Sequence, residues 1–234
     1  MQLTTDLSTF SILVFGFLLG LKHATEADHL AAVSTIVSEK KNLFASSIVG
    51  GLWGIGHTIS LLVVGLVVIF LKLQISEQLE AKLEAGVGIM LVLLGLNALR
   101  NLYLTKDAHV HTHDHEGHKH LHTHTHGEKS EEKWHHNLSP RSVIIGMIHG
   151  LAGSAALMLL VVPQIKSSFL AIVYILIFGV GSIGGMMLMS FIVGLPFHFT
   201  ANNFVSMNKA IRFIAAVFSF GLGLSIIYEK LFAA

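Results

Sequence analysis

Six long apolar segments decide what this chain can fold into. They run roughly 9–36, 43–71, 85–104, 141–163, 168–195 and 210–228. At 1.5 Å rise per residue, a helix over each crosses the ~30 Å hydrocarbon core of a bilayer. Hydrocarbon offers no partner for a backbone N–H or C=O, so spans of this kind fold as helices. The expected fold is an all-α membrane protein with six transmembrane helices. Charge agrees: only 12% of residues are charged and mean hydropathy is +0.69, whereas soluble domains carry about 25% charged residues. Twenty-two glycines against three prolines suit closely packed membrane helices. Met1–Ser8 carries no positive stretch, so the first segment is read as a retained helix rather than a cleaved signal.

Several function classes fall away. A net charge of +1, with no basic stripe interleaved with aromatics, leaves no case for nucleic acid. Cysteine is absent, which removes disulfide frameworks, thiol relays and thiolate metal sites together. Lysine and arginine are unevenly distributed between the two sides. Lys40, Lys41, Arg100, Arg141, Lys209 and Arg212 share one side with the basic residues of the long third loop, against Lys72, Lys82, Lys166 and Lys230 on the other. The positive-inside rule makes the first side cytoplasmic, with both termini outside a cell (cytoplasmic) membrane.

The two halves of the chain look related. Gly20-Leu-Lys-His23 recurs as Gly146-Met-Ile-His149, Trp53-Gly-Ile-Gly56 as Phe178-Gly-Val-Gly181, and Gly95-Leu-Asn97 as Gly223-Leu-Ser225, in the same order at offsets near 126. Three spans per copy force the second copy to be inverted, so the expected architecture is a 3+3 inverted repeat with its site near mid-membrane. The domains are then a first three-helix repeat over 1–104, a histidine-rich loop over 105–138 and a second three-helix repeat over 139–234.

The first span is interrupted by Lys22-His23-Ala-Thr-Glu26-Ala-Asp28-His29 before the apolar run resumes at Leu30. A carboxylate at membrane depth costs on the order of 3 kcal/mol. The plain alternative, a span that ends at Leu21, leaves Leu30–Val37 unexplained and overlooks the better exit at Glu39-Lys40-Lys41. On a regular helix His23, Glu26 and His29 share an arc of about 120° while Asp28 points elsewhere. Either the helix is unwound here, or Asp28 serves another role, such as orienting a histidine. His57, in a glycine-rich stretch, and His149, at the repeat position of His23, join the candidates; Ser154, near the repeat position of Asp28, is a weaker one. His198 beside Pro196 is read as structural or interfacial. Imidazole with carboxylate and no thiolate selects borderline ions such as Ni²⁺, Co²⁺ or Zn²⁺. The expected metal ligands are His23, Asp28, His29, His57, His149 and Glu26, the last also a candidate proton acceptor. No cofactor is expected, the ion being the transported substrate.

Eleven of the sixteen histidines lie between His109 and His136, largely in alternation. Such a tract has nothing to bury and is expected to be disordered, a metal-binding segment that buffers ions or presents them to a cytoplasmic metallochaperone. A solvated pH-responsive linker is the plainer reading of the same residues.

His23-Ala-Thr-Glu-Ala-Asp28-His29 resembles the His-Ala-x-x-Ala-Asp-His signature of the nickel/cobalt transporter superfamily, specifically its shorter urease-accessory-type nickel permeases. Gly-His57-Thr58 and the histidine-rich loop are similar to that superfamily as well. The resemblance implies secondary transport of Ni²⁺ or Co²⁺ with His23, Asp28 and His29 needed for it. Longer members carry eight spans, against six expected here. Related efflux proteins carry a glycine-bearing form of the motif that this chain lacks, which favours uptake. Export of the same ions and a non-transporting metal sensor are the rivals. An intramembrane metalloenzyme lacks support, because no His-Glu-x-x-His pairing occurs.

Overall fold

The computed structural model describes residues 2–38, 40, 42–71, 76–104, 108–115, 118–125, 140–151, 165 and 167–233. Its helices are α1 (Gln2–His23), α2 (Ala27–Val37), α3 (Leu43–Leu71), α4 (Glu77–Leu104), α5 (Pro140–Gly150), α6 (Ser168–Asn203) and α7 (Val205–Phe232). Two strands, β1 (Ala108–His115) and β2 (His118–Thr125), lie between α4 and α5.

α3, α4, α6 and α7 are each long and apolar enough to cross a membrane. Thr9–His23 and α2 pass the same test together as one span bent by 54°. Large apolar side chains face outward, among them Phe10, Phe70, Phe169 and Ile214, while His23, His29, His57, Ser182 and Ser190 are buried. A bundle with a polar interior and an apolar exterior is at home in lipid. The protein is therefore a multi-pass, helical membrane protein. The expected fourth span, 141–163, is described only through α5 and Leu151, so the described residues supply up to five of the six expected spans.

The second expected span matches α3 residue for residue, while others run longer than expected. α4 begins at Glu77 rather than 85 because Glu77, Glu80 and Lys82 are helical before the apolar run starts. α6 continues through Pro196 to Asn203. There the Thr200 hydroxyl donates to the Pro196 carbonyl at 2.7 Å. The histidine tract also departs from expectation. Where disorder was expected, residues 108–115 and 118–125 pair antiparallel, with His109 opposite His124, His111 opposite His122 and His113 opposite His120. The alternation that looked like low complexity is also the two-residue period of a strand.

The principal helix contacts pair α4 with α7, α3 with α6, α1 with α6 and α3 with α5. Glycines make these approaches possible. A methyl at Gly20 would run into the Phe178 carbonyl, and one at Gly146 into the Trp53 carbonyl. Gly181 meets the Phe17 carbonyl in the same manner, and Gly56 that of Val143. Gly95 faces the Ala216 carbonyl as Gly223 faces that of Gly88. In each pair of contacts the corresponding positions are 125 to 128 residues apart.

Candidate metal centre

The centre forms where the first span breaks. Thr25 and Glu26 donate their backbone N–H groups to the carbonyls of Lys22 and His23, at 2.9 and 3.1 Å, closing a turn. The Thr25 hydroxyl donates to the same Lys22 carbonyl at 2.6 Å. Glu26 is extended, with φ −67° and ψ 152°, and α2 starts at Ala27. The bend answers the helical-wheel conflict: His23 closes α1 while Asp28 and His29 open α2, so residues that a straight helix would scatter meet around one point.

His23, His29, His57 and His149 are all at most 2% exposed. His23 Nε2 lies 3.2 Å from His57 Nε2. The His29 ring packs 4.3 Å from that of His23 and 4.2 Å from that of His149, centroid to centroid. Asp28 bridges two of them. Its Oδ1 accepts from His29 Nδ1 at 3.1 Å and from the His29 backbone N–H at 2.9 Å, and its Oδ2 accepts from His149 Nε2 at 3.0 Å. Glu26 Oε2 stands 3.0 Å from His23 Nδ1. Every expected ligand is thus drawn into one cluster, while Ser154 lies outside the described residues. His198 is exposed on α6 and takes no part.

Two groups of donors can each close on one ion. One ring nitrogen from each of His23, His29 and His57 lies within 4.8 Å of the others, and so do atoms of Asp28, His29 and His149. The chemistry fits a borderline divalent cation. Nitrogens at 2.0–2.1 Å from a common ion subtend roughly 2.9–3.4 Å between octahedral and tetrahedral angles, and the 3.2 Å His23–His57 separation falls inside that range. An ionised Asp28 takes the Nδ1–H of His29 and the Nε2–H of His149, which fixes each ring's neutral tautomer and leaves the opposite nitrogen with its lone pair. Those nitrogens, His29 Nε2 and His149 Nδ1, are buried without a hydrogen-bond partner among the described residues. Buried polar atoms are rarely left so, and a bound cation satisfies them.

Backbone electrostatics favour positive charge as well. α1 ends on His23, and His149 is the penultimate residue of α5. A helix C-terminus carries about half a negative charge, so the two ends contribute field along with the imidazoles.

Sequence reasoning missed Trp53. Its ring lies 5.2 Å from His29 and 5.3 Å from His149 and is 1% exposed, which walls the centre from lipid. Phe178, its counterpart in the other half, lies 5.7 Å from His23. Both had been singled out only as repeat markers. Ser182, the repeat position of His57, is fully buried with no hydrogen-bond partner for its hydroxyl among the described residues, and the offset alone would have pointed to it.

Fold and site together define a multi-pass membrane protein built around a cluster of buried histidines. Residues 30–225 match the family described as the cytochrome C biogenesis protein transmembrane region, and the chain belongs to that family. The match begins just beyond His29, so it speaks for the scaffold rather than for the motif. The chain is also similar to the urease accessory protein UreH of Bacillus sp. (strain TB-90), with 42% identity over 222 residues, 89% of this chain and 88% of the relative. Two Arabidopsis thaliana proteins, chloroplast proteins FOR GROWTH AND FERTILITY 1 and 2, are 23% and 25% identical over 93% of this chain, which spans 59% and 56% of their lengths. No solved structure matches. These relationships place the chain in a non-enzyme family of membrane proteins.

Proposed function

We propose that this protein is a secondary transporter of divalent transition metal ions, with Ni²⁺ or Co²⁺ as cargo and uptake as the direction. One observation carries the reading: four buried histidines and one carboxylate converge at a break in a membrane span. Such a cluster is costly at membrane depth and is explained by an ion that it binds there. In this reading His23, His29, His57 and His149 hold the ion, Asp28 orients two of them, and Glu26 is a further ligand or proton acceptor. The relative's designation as a urease accessory protein supports Ni²⁺ as cargo.

The paired glycine contacts support a 3+3 inverted repeat of 1–104 and 139–234. Under it, α1 against α6 and α5 against α3 are equivalent interfaces, and rocking between them alternately opens the centre to each side. Residues 105–138 then lie in the cytoplasm, both termini lie outside, and the histidine tract hands ions to a metallochaperone. Export uses the same centre in reverse. Deletion in the host separates the two, since lower cellular metal marks uptake and metal hypersensitivity marks export.

Equilibrium dialysis with Ni²⁺ on protein lacking 105–138 tests the centre. The deletion protein is expected to bind an ion that its His23→Ala and His29→Ala variants do not. Unchanged stoichiometry in folded variants would remove these residues as ligands.

A further inference from the structure

A cavity of about 100 Å³ lies between α2, α4 and α5, outside the histidine cluster. Thr35 and Ile36 line it from α2, Asn97 and Ala98 from α4, and Ser142 and Ile145 from α5, with Lys40 and Arg141 at its rim. At about 10–15 Å³ per water it holds roughly seven waters or more, room for a divalent ion with its hydration shell. Its inner end approaches the centre along two helices. Ile145 stands one turn, about 6 Å, before His149, and Thr35 stands about 9 Å beyond His29.

Among the described residues the lining includes no carboxylate and no imidazole, and Lys40 and Arg141 are exposed cations. A dication meets hydroxyl and carboxamide oxygens there but no strong ligand among the described residues, so the lining suits passage rather than residence. What lies next along the chain is different in kind. The segment joining α4 to α5 carries the histidine tract, and its first histidine, His109, is five residues past Leu104, at most about 18 Å of extended chain. Two of the three helices that line the cavity, α4 and α5, tether the tract at either end.

We infer that this cavity is the port through which ions pass between the buried histidine centre and the histidine-rich tract. The inference rests on the transport reading for the ion's movement, whereas its geometry can be tested without transport. The chain has no cysteine, so a single introduced thiol reports alone. Asn97→Cys is placed in the port. Leu93→Cys, one turn earlier on α4 at a 60% exposed position, serves as the outward-facing comparison.

The full-length variants are reconstituted in vesicles of known orientation and treated with a membrane-impermeant, negatively charged thiol reagent. Asn97→Cys is expected to react only from the side bearing the loop, at least about tenfold faster than Leu93→Cys, because the reactive thiolate forms where water reaches it. Ni²⁺ flux through the labelled Asn97→Cys protein should then stop, whereas treated wild type should retain it. Labelling no faster than Leu93→Cys, labelling from the opposite side, or full flux after labelling would overturn the port. Wild type that moves no Ni²⁺ would instead overturn the transport reading, and the labelling rate and side would still decide whether a water-filled port exists here.

Discussion

His29 divides its two nitrogens between different tasks: Nδ1 is committed to Asp28, while Nε2 has no hydrogen-bond partner among the described residues. Under the proposed transport reading Asp28 orients His29 and His149 rather than sharing an ion with His23, which separates two mutational outcomes. Asp28→Asn keeps the shape but loses the charge that sets the tautomers, so Ni²⁺ affinity should fall about 10–100-fold. His23→Ala should abolish binding at the centre. A competition titration with a chromogenic chelator on loop-deleted protein reads both. The polar side chains were legible in the sequence because ionisable groups at membrane depth need a reason to be there. The Asp28–His149 bridge was not legible, because it depends on a bend that brings a residue of α2 to one lying 121 positions away. Trp53 was invisible for the opposite reason, since an aromatic in an apolar helix carries no signal until its neighbours are known.

The half-helix α2 has to be held at both ends if the bend is to place Asp28. Its N-terminus is fixed by the turn at Glu26, and its C-terminal Ser38 carbonyl accepts from Arg212 of α7, from Nε at 2.8 Å and also from the second guanidinium nitrogen. Removing a charged donor from a part-buried carbonyl costs about 1.5–3 kcal/mol. Arg212→Gln should therefore speed amide hydrogen exchange over residues 30–38 while leaving α3 protected. Equal exchange in the two proteins would show that Arg212 does not anchor α2. The glycine interfaces make a second prediction at this scale. Gly146→Ala would drive a methyl into the Trp53 carbonyl and should destabilise by about 1–3 kcal/mol, whereas Gly184→Ala meets nothing within 4 Å among the described residues and should be neutral in thermal unfolding. Helix cores were readable from hydropathy alone, but their ends were not. Glu77 and Glu80 are helical although nothing apolar marks them, and α6 runs past Pro196, where a serial reading stops.

At the scale of the whole molecule, the proposed inverted repeat joins the paired glycine contacts and the buried histidine cluster in one design. Under that proposal helices that meet through backbone at glycine can slide without prying side chains apart, and His23 and His149, each at a helix C-terminus, are equivalent. Transport through the bent first span is read by Ni²⁺ flux into proteoliposomes that hold wild type, protein lacking 105–138 or His23→Ala. Flux should survive removal of the tract and disappear with His23→Ala. Undiminished flux in His23→Ala, or ion binding without flux in every protein, would contradict transport through this span.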